Sequence, residues 1–189
     1  MKRLVILASG SGSNAENIIN YFKDHLEISI VCVLSNKRNA GVFDRCKRLH
    51  IDCFYYSKED FTTNDTVLTF LKNTADYIIL AGFLLKIPQS IVTVFKDKII
   101  NIHPALLPKY GGKGMYGMHI HRAIKQNNEK ETGITIHFVN ENYDEGAIIF
   151  QAKTEVVFTD SPENIAEKIH LLEYEHFPKV IEETTLKHG

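Results

Sequence analysis

The stretch Leu4-Val-Ile-Leu-Ala-Ser-Gly-Ser-Gly-Ser-Asn-Ala15 decides the fold class. Its first five residues are all apolar, as a parallel strand covered on both faces requires. Residues 9–13 are a loop of small residues. A helix over 14–26 follows, with Ile18, Ile19 and Phe22 at core spacing. The alternation continues: strands are expected at 28–34, 53–56, 77–81 and 98–102, and helices at 41–49, 66–73 and 88–95. Strands alternating with helices imply right-handed crossovers and a parallel sheet. After residue 102 the pattern changes. Residues 104–118 form a Gly-rich connection, and loops that long inside a compact domain are usually functional. A short helix at 119–126 precedes an alternating strand at 132–139, with Ile134, Ile136 and Phe138 on one side and Thr135 and His137 on the other. A further strand run covers 147–158. Asp160-Ser-Pro-Glu163 starts a helix that runs to about Thr185. The expected fold is α/β: a mostly parallel, open, twisted sheet of about seven strands with helices on both faces, in one domain over residues 1–189.

Bulk composition narrows the function. The 22 Lys and Arg against 23 Asp and Glu give a net charge of −1, so no global basic field draws in nucleic acid or an anionic membrane. No stretch approaches the roughly 20 apolar residues of a membrane helix. Cys32, Cys46 and Cys53 are odd in number and contain no CxxC pair, so reduced thiols in a cytoplasmic setting are expected rather than disulfides or zinc. The charged and then apolar residues 1–7 read as a first strand rather than a signal peptide.

The chemistry concentrates in Asn101-Ile-His103-Pro-Ala-Leu-Leu-Pro108. Asn and His two apart on an extended chain point the same way, and a proline then turns the chain. An amide donor and a near-neutral acid/base thus stand together where a strand ends, suited to a reaction in which a carbonyl oxygen gains charge while protons move. Asp144, in a turn-like segment, is a carboxylate available to that imidazole. His137 either shares this cleft or is only a polar residue on an alternating strand. His119 and His121 read as surface or capping residues, because i, i+2 spacing does not share a helical face.

The loop at 9–13 offers backbone N–H groups and a helix start to an anion. The plainer reading is a tight turn with Ser13 or Asn14 as the N-cap. Gly10-x-Gly12-x-x-Ala15 also fits a loose dinucleotide fingerprint, but the second strand ends in Ser35-Asn-Lys-Arg38 with no acid for a ribose. A plain NAD site is therefore not expected, and an NADP site would rely on Arg38.

Together these segments resemble the phosphoribosylglycinamide formyltransferases, a branch of the folate-dependent formyltransferase family. The resemblance runs from Leu7-Ala-Ser-Gly-Ser-Gly-Ser-Asn14 through Leu80-Ala-Gly-Phe83, the Asn101 motif, His119-Ile-His-Arg122, Thr132-Gly-Ile-Thr-Ile-His-Phe-Val139 and Asp144-Glu-Gly-Ala-Ile-Ile-Phe-Gln-Ala152 to Glu173. It implies transfer of a formyl group from 10-formyltetrahydrofolate, a co-substrate, to the amine of 5'-phosphoribosylglycinamide in de novo purine biosynthesis, with no metal. It implies an N-terminal phosphate-binding half over about 1–100 and a catalytic, folate-binding half over about 101–189. It assigns catalysis to Asn101, His103 and Asp144. Gly12, Ser13, Asn14 and Glu173 would hold the ribonucleotide. Lys58, Leu84, Leu85, Lys86, Ile87, Asn101, Asn140 and Asp144 would hold folate. The expected partners are small molecules, with no nucleic acid and no membrane, and the chain is expected as a monomer or homodimer without an added regulatory or tRNA-binding domain. Two departures from the family stand out: residues 111–117 are longer than expected after the Leu-Leu-Pro motif, and Leu85 stands where many members carry arginine. The competing readings are a deformylating hydrolase, a sugar-nucleotide or methionyl-tRNA formyltransferase, a nucleotide-binding module without chemistry, and an NADP-dependent reductase.

Overall fold

The computed structural model describes residues 1–187, so the last two residues of the expected 1–189 span lie outside the described residues. Its strands are β1 (Lys2–Leu7), β2 (Ile28–Ser35), β3 (Cys53–Tyr55), β4 (Tyr77–Leu80), β5 (Ile99–His103), β6 (Glu131–Phe138) and β7 (Ile148–Glu155). Its helices are α1 (Ser13–Phe22), α2 (Val42–Leu49), α3 (Lys58–Thr62), α4 (Thr66–Thr74), α5 (Gln89–Val94), α6 (Met118–Gln126) and α7 (Pro162–Lys187). One seven-stranded sheet has the order β3-β2-β1-β4-β5-β6-β7. β1 to β5 pair in parallel, and β6 and β7 join antiparallel. This is the mostly parallel α/β sheet that the alternation predicts.

The apolar run of β1 has a direct cause. Leu4 and Ile6 pack into one core with Ile18, Phe22, Val42, Ile120 and Phe177. Val5 and Leu7 pack into a second core with Phe61, Val67, Leu71 and Ile91. All four strand residues are fully buried, so neither face of β1 has a place for a polar side chain. Polarity is displaced to the strand ends. The three cysteines are free thiols, and burial pushes the Cys32 thiol up to about 12.

Three local features differ from expectation. The first helix stops at Phe22, because the His25 ring accepts hydrogen bonds from the backbone N–H groups of Glu27 and Ile28 and turns the chain early. A short α3 precedes α4: Ser57 and Asp60 form a reciprocal capping box, a Ser-x-x-Asp signal present in the sequence. β6 is buried on both sides from Thr132 to His137, not only on its apolar face. Thr135 explains one of these polar positions. Its hydroxyl donates to the Ala105 carbonyl at 2.7 Å and accepts from the Leu107 N–H at 3.0 Å, pinning the loop that leaves β5.

β6 and β7 lie very close at Gly133, where an added Cβ would come within 1.9 Å of the Ala152 carbonyl oxygen. Gly133→Ala is expected to destabilise the protein by about 3 kcal/mol, at the upper end of ordinary overpacking. Gly10→Ala, which meets nothing within 4 Å, is expected to stay within about 0.5 kcal/mol of the parent. Urea denaturation of the two variants checks this pair.

Candidate active site

From β1 the chain proceeds outward through β2 and β3, then crosses to β4 and β5 on the other side. Open α/β sheets bind ligands beyond the carboxyl ends of their strands at such a switch point. A cleft of about 650 Å³ lies there, lined by the segments that follow β1, β4 and β5, by 112–118, and by residues of α6 and α7.

The loop after β1 enters α1 through Gly12 at φ 77°, and no side chain caps the helix. The alternative of Ser13 or Asn14 as N-cap is therefore not realised, and the helix start is left open to an anion. Gly12 is required twice over: its backbone is left-handed, and an added Cβ would sit 2.5 Å from Val42 Cγ2. The loop is held from outside. The Arg45 Nε–H donates to the Ser11 carbonyl at 2.8 Å, and Arg45 and Arg48 both pair with Glu16 in α1. The Ser9 hydroxyl donates to Asn36 and accepts from the Leu84 N–H, tying the ends of β1, β2 and β4 together.

Asn101, His103, His137 and Asp144 come together. β5–β6 pairing sets Asn101 opposite His137. His137 Nδ1 lies 2.8 Å from the Phe138 carbonyl, which can only accept, so Nδ1 carries the proton. Nε2 then accepts from the Asn101 amide nitrogen at 3.0 Å. This fixes the amide orientation and leaves the second Asn101 N–H free of His137. Burial pushes the His137 imidazole below its ordinary titration, keeping it neutral. His103 Nε2 donates to the Tyr110 carbonyl at 2.7 Å, which turns Nδ1 toward Asp144 Oδ2 at 3.6 Å. Asp144 also faces His137 Nε2 at 3.7 Å and accepts the Gly112 N–H at 2.9 Å. Both imidazole–carboxylate distances are too long for direct hydrogen bonds. The carboxylate stands ready rather than spent.

Glu173 is buried on α7, where its Oε2 accepts from Asn14 Nδ2 at 2.9 Å and His170 Nδ1 at 2.8 Å. That hydrogen bond to Glu173 is the main cause of the raised His170 titration. The expected folate segment is less completely assembled. Leu84 borders the cleft. Leu85 and Ile87 instead pack into the second core. Lys86 lies over the Tyr143 ring at 5.5 Å, and Tyr143 borders the cleft. Asn140 caps its own turn through the Asn142 N–H. Lys58 is exposed at the start of α3 and does not line the cleft. Residues 112–117, the long Gly-rich segment, form one wall of it.

Sequence reasoning missed His121 and His170. His119 is exposed as expected, but His121 is 3% exposed and lines the cleft. The usable signal was Ile124, three residues on and on the same helical face. Among the described residues no cluster of three or more His, Cys, Asp or Glu is disposed to hold a metal, and no helix is long and apolar enough to cross a membrane.

This geometry agrees with comparisons across known proteins. The chain matches the formyl transferase family over residues 2–181. It is 37% identical to the phosphoribosylglycinamide formyltransferase of Haemophilus influenzae, with 96% of this chain and 86% of that protein aligned. It is 34% identical to the chloroplastic phosphoribosylglycinamide formyltransferase of Arabidopsis thaliana, aligning over 95% of this chain but spanning 64% of that protein's length. The crystal structure of phosphoribosylglycinamide formyltransferase from Bacillus halodurans superposes with a TM-score of 0.87 at 30% identity, covering 100% of this chain and 97% of that one. The chain belongs to the formyl transferase family, and its switch-point cleft with an amide donor, imidazoles and a carboxylate accords with that membership. Within that family its relatives are the phosphoribosylglycinamide formyltransferases.

The ring protons of His121 and His137 are expected to titrate below pH 6.5 and those of His170 above it. Glu173→Gln should bring His170 back down, and proton NMR across pH reads all three. The linkage has opposite signs. The two depressed rings favour folding above pH 6.5 and give up that stability as pH falls below it. The His170 contribution is present below pH 6.5 and lost as pH rises through its folded titration.

Proposed function

We propose that this chain transfers the formyl group of 10-formyltetrahydrofolate to the primary amine of 5'-phosphoribosylglycinamide, giving the N-formyl product and tetrahydrofolate in de novo purine biosynthesis. The observation that carries the reading is the Asn101–His137 bond, which aims an oriented amide donor beside His103 and Asp144. The acceptor amine attacks as its free base. Its nitrogen bonds to the formyl carbon and the formyl oxygen gains negative charge. Asn101 donates its second amide hydrogen to that oxygen, and His103 in its protonated form donates beside it. Asp144 takes the proton released by the amine, directly or through a water. The oxyanion then collapses to the new carbonyl, the carbon–nitrogen bond of the donor breaks, and the departing nitrogen takes the proton that Asp144 received. None of these steps calls for a metal or a covalent nucleophile.

The uncapped start of α1, with Gly12, Ser13 and Asn14, holds the substrate phosphate, and Glu173 contacts the rest of the ribonucleotide. The N-terminal half supplies the phosphate loop and the C-terminal half the reacting groups. The formyl donor lies between residues 84–87 and the 140–144 turn, where Leu84 and Tyr143 border the cleft and Lys86 sits on the Tyr143 ring. Lys58 serves the donor from outside the cleft. The chain works in the cytoplasm on small molecules, as a monomer or homodimer.

The test is formyl transfer from 10-formyltetrahydrofolate by the purified protein, with and without the ribonucleotide. Turnover that requires the ribonucleotide supports the proposal. Formate release without it identifies a hydrolase instead. His103→Ala and Asp144→Asn are each expected to lower kcat by about 10²- to 10⁴-fold while keeping the parent's thermal melt. Asn101→Ala is expected to lower it by about 10²- to 10³-fold. Asn14→Ala is expected to raise the KM for the ribonucleotide more than it lowers kcat, as removal of a binding contact does.

A further inference from the structure

Among the described residues, two buried side-chain polar atoms have no hydrogen-bond partner: Asn14 Oδ1 and His121 Nδ1. Both belong to residues that line the same cleft. Buried polar atoms are normally paired inside the protein. A pair of exceptions converging on one cavity marks hydrogen-bonding capacity kept for a ligand.

His121 projects from α6, whose neighbouring residues Ile120 and Ile124 are fully buried in the core, so the ring is held on an ordered helix face. The charged and titratable groups that bear on it are His170 and Glu173 of α7. Burial dominates, then the repulsion from His170, and both hold the ring in its neutral form; Glu173 opposes them. A neutral imidazole offers one N–H and one lone pair and no net charge. That is a poor match for a phosphate and a good one for an uncharged oxygen. His170 is the complementary case: it is half exposed, bonded to Glu173, and shifted toward its charged form.

Building on the proposed acceptor, we infer that His121 is a further binding residue for the ribonucleotide, making a neutral hydrogen bond to an uncharged oxygen in the sugar and amide portion of that substrate. It neighbours His170 and Glu173, and Glu173 is bonded in turn to Asn14 of the proposed ribonucleotide site.

The experiment uses His121→Phe, which keeps a ring and removes both nitrogens, and His121→Asn, which restores a short polar group. Affinity for 5'-phosphoribosylglycinamide is read by calorimetry and by KM, and the KM for 10-formyltetrahydrofolate is read alongside. His121→Phe should weaken ribonucleotide binding roughly tenfold or more, the scale of one lost hydrogen bond in a buried site. His121→Asn should recover part of it, and the KM for the formyl donor should hold within about twofold. In the parent protein, adding the ribonucleotide should shift the His121 ring nitrogen resonances, a readout that survives if His121→Phe does not fold. Unchanged ribonucleotide affinity in a folded His121→Phe, or ring resonances that stay put on saturation, overturns the inference while leaving the proposed function intact. A parent protein that neither binds nor formylates the ribonucleotide overturns both.

Discussion

The site depends on the antiparallel seam between β5 and β6. Up to β5 the sheet is parallel and sealed by helices on both faces, so its strands carry almost nothing but apolar side chains. β6 runs the other way and sets His137 opposite Asn101 and Thr135 opposite His103. Each pairing has a chemical result. His137 orients the Asn101 amide, and Thr135 anchors the loop that takes the chain away from His103. Because strand side chains alternate, a slip of one residue would turn both polar residues of β6 to the opposite face. The apolar alternation of Ile134 and Ile136 opposes that slip, so the core holds the register on which the Asn101 orientation depends.

Around the cleft, imidazoles with the same intrinsic chemistry are set to different charge states by their surroundings. His137 and His121 are kept neutral chiefly by burial, whereas His170 is drawn toward the cation by Glu173. The neutral His137 ring fixes the Asn101 amide, while the His170 ring is paired with the Glu173 carboxylate.

Periodicity made the sheet legible because burial on both faces leaves an unbroken apolar run, as in β1 and β4, that little else produces. Asn101 and His103 were legible because two residues on one strand share a side without any knowledge of the fold. Asp144 could be proposed as a partner but not placed, since its meeting with His103 depends on a turn some forty residues away in sequence. His137 remained open for the same reason: whether a polar residue on an alternating strand meets water or a neighbour is settled by the next strand and the loops above it. His121 was misread because its spacing from His119 was weighed, while its spacing from Ile124 was not. The folate segment shows the opposite limit. Residues 84–87 were assigned to folate through the resemblance to the family, and the side chains of Leu85 and Ile87 turn into the core.

Val42 packs so closely against Gly12 that it limits what position 12 can hold. The start of α2 rests directly on the loop after β1: Val42 donates its N–H to the Gly10 carbonyl at 3.2 Å, and Gly41 lies against Ser11. A side chain at position 12 would need a smaller residue at 42 as well as a tolerance for left-handed backbone. Helix α2 thus acts as a splint laid across the outside of the loop, and its seating on the β3 edge of the sheet reaches the start of α1 without passing through Asn101, His103 or Asp144.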